Sequence, residues 1–500
     1  MEPSSSPVPT STARKTLGLS GLTMHAMTLV SPGAFVWFLY PLQAAMALHS
    51  SGSDIWPGVL VALGIAFITM SGFSELVFRY PFAGSRSAYH FAQCVLDDFV
   101  HTRKQAWFLP AKLASSWSAH LFYWVYPGVL VAFFVNIWNY LLQQFGYEPT
   151  GFGKVLLAMA IAAFIGFLAL RGITGSNTSS VILNFVQITI LVIFAILLIV
   201  FRVTNPEQFS VQSWHFITVG EIMLPKSING VLFQASIAFF LVSGFEATAA
   251  LGAYSTNPGK DISRSAFIAL LIQGVLSYLL QYFALNLALT PAFFSGQPSL
   301  DSMATLQAPL GNIAIQLGDH LLWHNGFALM IVLASAVMIS LLAAMLTALN
   351  NGVRVSFAMS LDHEIRGVMG MLPAKYTTPT VAVVILSIVS AAIGSAGALG
   401  GASVLLGLTL AANMGAFALY AVICVLAIIP TPYRPFSFGK SLPALLGAVV
   451  NIGMVVAMIT IGLGYGGMAR SATWLAVGFA VFFLLVSLFI RFIHPREKGV

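Results

Sequence analysis

Charge is scarce in this sequence. Lys, Arg, Asp and Glu together make up 7% of 500 residues, against roughly 25% in an ordinary soluble domain. That shortage excludes a water-soluble globule or a string of them. Cysteine is nearly absent as well: Cys94 and Cys424 stand far apart, in or near apolar segments, so neither a disulfide framework nor thiol redox chemistry is indicated. Short segments of about ten residues with strict apolar and polar alternation, the mark of a membrane β-barrel, are missing too, and runs such as 181–200 are almost continuously apolar. The balance of 22 basic against 15 acidic residues gives +7, but the basic residues do not gather on one polar surface as nucleic-acid binding requires.

What is abundant is hydrophobicity, 58% of the chain. Crossing about 30 Å of hydrocarbon takes about 20 mostly apolar helical residues. Twelve segments meet that requirement, near 19–48, 55–78, 114–141, 153–171, 179–201, 228–252, 265–290, 326–351, 378–396, 402–429, 443–465 and 472–492. The expected fold is an all-α integral membrane protein with 12 transmembrane helices, here called spans 1 to 12. Residues 1–16, rich in Ser, Pro and Thr, read as a disordered tail; 17–493 form the transmembrane domain, and 494–500 a second tail. The first apolar segment is too long for a signal-peptide core and reads as a retained anchor.

With the amino terminus placed inside, 18 of the 22 basic residues fall on the cytoplasmic side, and only Lys154, Arg202, Lys226 and Arg470 fall outside. Such asymmetry fixes orientation, and twelve crossings put both termini in the cytoplasm. The stretch 96–112, with Asp97, Asp98, Arg103 and Lys104 before Trp107 and Phe108, fits either a short helix at the cytoplasmic interface or a solvated loop. Residues 291–325 form the longest external connection.

Two spans carry helix breakers at mid-membrane depth. Span 1 contains Ser31-Pro32-Gly33 and span 6 contains Ser243-Gly244-Phe245-Glu246. Proline removes an amide donor and clashes with the preceding turn. In lipid the freed backbone groups are tolerated only against protein or a water-filled cavity. The breaks lie five spans apart, as expected where an inverted repeat of five helices places two unwound helices at a shared site. There, half-helix amino ends offer N–H groups to a carboxylate and exposed carbonyls take an ammonium or a cation. A pair of simple kinks is the alternative.

Glu246 is the sharpest single residue. A carboxylate at that depth reads as a proton carrier, a partner for a substrate amine, or a protonated acid bonded to a neighbouring helix. His25, eight residues before Gly33, is a second proton-coupling candidate. Glu75 near the end of span 2 reads as an ion-pair member with Arg79 or Arg86. Asp319-His320 and His324 have a metal-like spacing, but no nearby Cys or further His completes a zinc set. Asp362-His363-Glu364 reads as a solvated turn. No metal, cofactor or catalytic residue is expected, and a membrane-embedded enzyme lacks the convergent groups it would need.

Four segments together resemble the amino acid–polyamine–organocation (APC) superfamily of permeases, over residues 17 to about 493. They are Ser31-Pro32-Gly33-Ala34-Phe35 in span 1; Tyr80-Pro81-Phe82-Ala83-Gly84-Ser85 with Tyr89 after span 2; Gly244-Phe245-Glu246 continued by Asn257-Pro258-Gly259-Lys260-Asp261-Ile262 and Arg264; and Arg354-Val355-Ser356-Phe357-Ala358-Met359-Ser360-Leu361-Asp362 with Thr378-Pro379, similar to the loop between spans 8 and 9. The resemblance implies two inverted five-helix repeats, about 17–202 and 226–430, with peripheral helices at about 443–493. It implies alternating-access transport of an amino acid or related small amine across the plasma membrane.

By matching position, the backbone around Ser31, Gly33 and Ala34 would hold the substrate carboxylate. Carbonyls near Leu29 and around Val242, Ser243 and Gly244 would hold the ammonium, Phe240 would be the aromatic gate, and Glu246 would sense protons. The sequence departs from the family pattern at Pro32, at Ser85 and at Tyr254-Ser255, and has no Lys in span 5. Proton coupling is the first reading. Exchange, or sodium coupling through span 1 carbonyls and hydroxyls such as Ser340, stays open, as does a channel.

Overall fold

The computed structural model describes residues 17–29, 32–46, 54–81, 83, 88–100, 108–171, 176–205, 225, 227–288, 308–361, 367–371, 378–430 and 437–493. Among the described residues there are fifteen α-helices and no strand. Span 1 is two helices, α1 (Leu19–Leu29) and α2 (Pro32–Met46). Spans 2 to 5 are α3 (Ile55–Arg79), α5 (Phe108–Gln144), α6 (Gly151–Leu170) and α7 (Ser176–Thr204), with α4 (Ala88–Val100) between spans 2 and 3. Span 6 begins as α8 (Ile228–Ala238) and ends in 3₁₀ turns, and span 7 is α9 (Pro258–Ala288). The short α10 (Pro309–Leu321) precedes span 8, α11 (Gly326–Leu361). Spans 9 to 12 are α12 (Thr380–Leu399), α13 (Gly401–Ile428), α14 (Phe438–Gly464) and α15 (Gly467–Ile493).

Eleven of these segments are long and apolar enough to cross a membrane, span 6 counted as one continuous stretch. Span 1 is described in two pieces on either side of residues 30 and 31, α1 with 11 residues and α2 with 15, and neither reaches that length alone.

Local chemistry sets several boundaries. Thr150 and Ser227 accept the Gly153 and Gly230 amides at 3.1 Å and start α6 and α8, as hydroxyl side chains do at helix N-caps. Pro258 opens α9, where its missing amide costs nothing. Span 8 runs ten residues beyond its expected end. The Arg354–Leu361 segment, which resembles an inter-span loop, is its last two turns. No Gly or Pro follows Gly352 within the helix to stop it, and the Ser356 hydroxyl bonds back to the Gly352 carbonyl at 3.0 Å. The 96–112 stretch is described only at its two ends. Its start belongs to α4, which begins at Ala88, its end belongs to α5, and residues 101–107 lie outside the described residues. The connection 291–325 contains α10.

Spans 2 and 7, 3 and 8, and 4 and 9 pack directly on each other. The contact of span 2 with 6 is matched by 7 with 1, that of 3 with 10 by 8 with 5, and that of 3 with 9 by 8 with 4. Adding five to a span number therefore maps these contacts onto one another. That is the pattern of contacts expected of a repeat of five helices. Spans 11 and 12 lie outside this pattern, against spans 2, 3, 6 and 10. Close approach depends on small residues: a β-carbon on Gly415 would fall 2.5 Å from the Phe122 amide nitrogen, and one on Gly394 would fall 2.4 Å from Val131. Spans 3 and 6 are the centre, buried along 83% of their most apolar stretch, whereas span 4 is buried along 28%.

Candidate functional site at the interrupted spans

The two interruptions meet. Gly244 has φ +107°, and a β-carbon there would lie 2.7 Å from Cδ2 of Leu29, the last residue of α1. Span 6 leaves the α-helix at Phe239, turns through Val242 and Ser243, and resumes at Phe245–Tyr254 as a 3₁₀ helix of ten residues. That is long for this conformation, which mid-helix often marks a hinge. On span 1, Gly33 admits the side chains of Leu191 in span 5 and Val337 in span 8: a β-carbon would fall 2.7 Å from the first and 3.2 Å from the second. Ser31 lies outside the described residues, and Ala34 sits in the first turn of α2.

Main-chain carbonyls in the second half of α1 accept from side chains of other spans. Gln273 Nε2 donates to the Met27 carbonyl at 2.8 Å, and the Tyr126 hydroxyl approaches the Leu29 carbonyl at 3.5 Å. One turn earlier, Asn184 Nδ2 donates to the Met24 carbonyl at 2.9 Å and to the Thr28 hydroxyl. Span 10 serves span 6 in the same way. Asn413 Nδ2 donates to the carbonyls of Ser236 and Ile237 at 2.7 and 3.3 Å, and the Gly244 amide donates to the Tyr420 hydroxyl at 3.2 Å. A backbone group left without a partner would cost several kcal/mol in an apolar medium, and such side chains supply partners where the helices end.

Glu246 is 3% exposed. Tyr123 of span 3 donates to its Oε1 at 3.0 Å, and Tyr420 of span 10 donates to its Oε2. Both carboxyl oxygens are therefore engaged by phenols. Phe240 stacks on Tyr126 with ring centres 4.6 Å apart and meets Phe133 edge-on, while Phe38 of α2 stacks on Phe133 at 4.5 Å. This aromatic column runs from the breaks along α2. Val242 and Ser243 are fully buried in the turn beside it, and the Ser243 hydroxyl bonds to the Phe240 carbonyl at 3.4 Å.

The remaining sequence candidates are placed as follows. His25 lies on α1 with its Nδ1 buried and unbonded, and among the described residues no hydrogen bond joins it to Glu246. Ser340 is buried on span 8, one turn beyond the Val337 that abuts Gly33. Glu75 and Arg79 form an ion pair at 2.7 Å. His320 packs against Phe201 and His324 turns the chain with φ +63°, while Asp319 accepts the Gly326 amide at 2.9 Å. Among the described residues no three His, Cys, Asp or Glu side chains converge on one point. Asp362, His363 and Glu364 lie outside the described residues. The Pro81 of the motif after span 2 reaches the end of span 6, where a β-carbon on Gly252 would fall 2.6 Å from its carbonyl oxygen. The main-chain pair Leu17–Ser255 ties the start of α1 to the same end through bonds of 3.1 Å.

Sequence reasoning missed Tyr123, Tyr126, Asn184, Gln273, Asn413 and Tyr420. Each is a polar residue inside an apolar span, which signals a buried partner, but a partner on another helix has no sequence signature.

These features define an all-helical, multi-pass membrane protein with two interrupted helices at its centre. A model of the amino acid permease family matches residues 99–498. The chain belongs to that family, within the APC superfamily. It is 23% identical over 331 residues to the branched-chain amino acid permease BcaP of Bacillus subtilis, covering 66% of this chain and 63% of that one. It is 23% identical over 344 residues to the vacuolar cationic amino acid transporter 4 of Arabidopsis thaliana, covering 68% and 51%. It is also 23% identical over 254 residues to the aromatic amino acid transport protein AroP of Escherichia coli K12, covering 49% of each. The matches thus span about half to under two thirds of these relatives' length.

Proposed function

We propose that this chain is a secondary active transporter that carries an amino acid or related small amine across the plasma membrane by alternating access, coupled to protons. In this reading it has twelve spans, two inverted repeats at about 17–202 and 226–430, two peripheral helices, and both termini in the cytoplasm. The observation that carries it is the meeting of the two interrupted helices beside a buried carboxyl group. Main-chain N–H groups around Ser31, Gly33 and Ala34 take the substrate carboxylate. Carbonyls near Leu29, Val242 and Ser243, with the Gly244 turn, take its ammonium, and Phe240 closes over it. Relatives named for branched-chain, cationic and aromatic amino acids support an amino acid cargo without choosing among side chains.

Glu246 is the proton carrier rather than the amine partner. Two phenols already occupy its oxygens, so a substrate amine would have to displace both. Tyr123 joins it to span 3 and Tyr420 joins it to span 10 and to the Gly244 amide, so a change in its protonation acts on the turn that holds the ammonium. His25 is a further member of the proton path, reached by rearrangement of α1. Sodium coupling is the second reading, supported by the buried Ser340 beside the span 1 break.

The test is uptake of labelled leucine, phenylalanine, arginine and putrescine into proteoliposomes with an imposed proton gradient. Accumulation of at least one, abolished by a protonophore and lost in Glu246→Gln while counterflow persists, supports the proposal. Uptake that follows sodium alone, or a pH dependence unchanged in Glu246→Gln, removes the proton assignment.

A further inference from the structure

Spans 4 and 9 run antiparallel and touch where Gly166 meets Ser387, a β-carbon on Gly166 falling 2.3 Å from the serine hydroxyl. Beside that contact they leave a cleft of about 630 Å³, within the size range of sites that take small molecules. Its walls include Met159, Ala163 and Phe167 from span 4 and Val384, Ile388 and Ala392 from span 9. The Ser387 hydroxyl on its floor is used by the Val383 carbonyl at 2.8 Å. Met159 is 54% exposed and Ile388 63%, so the cleft opens outward. Lining residues extend from Val155 to Leu170, about 22 Å along a helix at 1.5 Å per residue. That length suits an extended hydrocarbon chain.

One end of this apolar slot is charged. Arg171 follows Leu170 directly and is exposed, and its guanidinium carbon sits 4.5 Å from the centre of the Phe167 ring that lines the cleft. Arg79, at the equivalent end of span 2, is consumed by Glu75 and by the carbonyls of Ala427 and Ile429. Among the described residues, no carboxylate pairs with Arg171. Long basic side chains at span ends cover apolar surface with their stems and hold the charge at the headgroup level, and basic sites between spans take anionic headgroups. An apolar slot of this length with a cation at one end is complementary to a molecule with a hydrocarbon chain and an anionic head.

We propose that this cleft is a binding site for an anionic phospholipid, one acyl chain lying between spans 4 and 9 and the phosphate resting on Arg171. With the basic residues placed on the cytoplasmic side, the lipid belongs to the cytoplasmic leaflet; only that assignment rests on the orientation in the proposed function. Spans 3 and 9 pack on each other, as do 4 and 9, so the lipid braces the scaffold against which the interrupted helices sit.

The protein is reconstituted in nanodiscs of equal parts phosphatidylglycerol and phosphatidylcholine, released, and weighed by native mass spectrometry. One lipid retained per chain is expected, with phosphatidylglycerol preferred at least fivefold. Arg171→Gln brings that preference to about one, and Ala392→Phe, which fills the slot, removes the adduct of either lipid. Melting temperature and monodispersity identify a misfolded variant, and Arg171→Gln, at an exposed site, carries the test if Ala392→Phe fails to fold. Equal retention of both lipids, no adduct, or an unchanged preference in Arg171→Gln overturns the proposal. So does displacement of the adduct by millimolar inorganic phosphate, or a dimer without lipid that Ala392→Phe dissociates. The readout needs no substrate, so its failure leaves the transport reading untouched.

Discussion

Leu29 and Gly244 close the contact between the two interrupted helices. The Leu29 side chain fills the space where Gly244 would carry a β-carbon, 2.7 Å from Cδ2, and Gly244 holds φ at +107°. Span 6 makes this turn at a residue without a side chain, and α1 ends against it.

Gly244→Ala is therefore expected to fail twice, through the left-handed backbone, which costs about 1–2 kcal/mol for a residue with a β-carbon, and through the collision with Leu29. Thermal melting in detergent should fall and uptake should be lost, while Gly259→Ala, at a position with open space around it, should melt close to the parent. A Gly244→Ala protein that transports normally would mean the turn is not part of the site.

Tyr420→Phe should be more damaging than Tyr123→Phe. The first removes a donor to Glu246 and the acceptor for the Gly244 amide, and the second removes one donor to Glu246. Each unsatisfied buried group costs about 1–3 kcal/mol. Melting temperatures of the two variants and the pH profile of uptake are the measurements. Equal melting of the two would show that the amide bond to Tyr420 contributes nothing.

Arg79 closes the end of span 10. Its Nη1 and Nη2 donate to the carbonyls of Ile429 and Ala427 at 2.9 and 2.7 Å while Nε holds Glu75 at 2.7 Å. A lysine offers one compact ammonium in place of this planar fork. Arg79→Lys is thus expected to destabilise nearly as much as Arg79→Gln, in melting measurements on purified protein; full rescue by lysine would reduce the role of Arg79 to its charge.

Tyr80, outside the spans, donates to Asp98 at 2.6 Å. Burial, with the neighbouring Asp98 carboxylate, holds its phenol above the ordinary tyrosine range. In the unfolded chain the phenol ionises near pH 10, whereas in the folded protein it keeps its proton. The bond's contribution is therefore complete below about pH 10 and declines as pH rises beyond that. Melting temperature followed from pH 8 to 11 should drop more steeply in the parent than in Tyr80→Phe, and parallel curves would remove Tyr80 from the alkaline transition.

Cys424 illustrates how far composition reaches. That two cysteines form no bridge was readable from their separation, yet that Cys424 is the neighbour that Gly72 and Gly447 make room for depends on spans 2, 10 and 11 coming together. The extension of span 8 through Arg354–Leu361 had a local cause visible in the sequence, the lack of Gly or Pro after Gly352. It was obscured by the resemblance of that stretch to a loop.

Hydrophobic runs were enough to establish a helical membrane protein, and Pro32 and Gly244 were enough to mark where breaks in spans 1 and 6 are expected, because the cost of bare backbone in lipid acts on every segment separately. The partners of the divided ends had to wait for the folded chain. Gln273, Tyr126, Asn184, Asn413 and Tyr420 reach them from four other spans, and the fate of Glu246 is set by two phenols 123 and 174 positions away in the chain. Hydrogen bonding between helices depends on their rotation and depth, which follow from the packing of all of them at once.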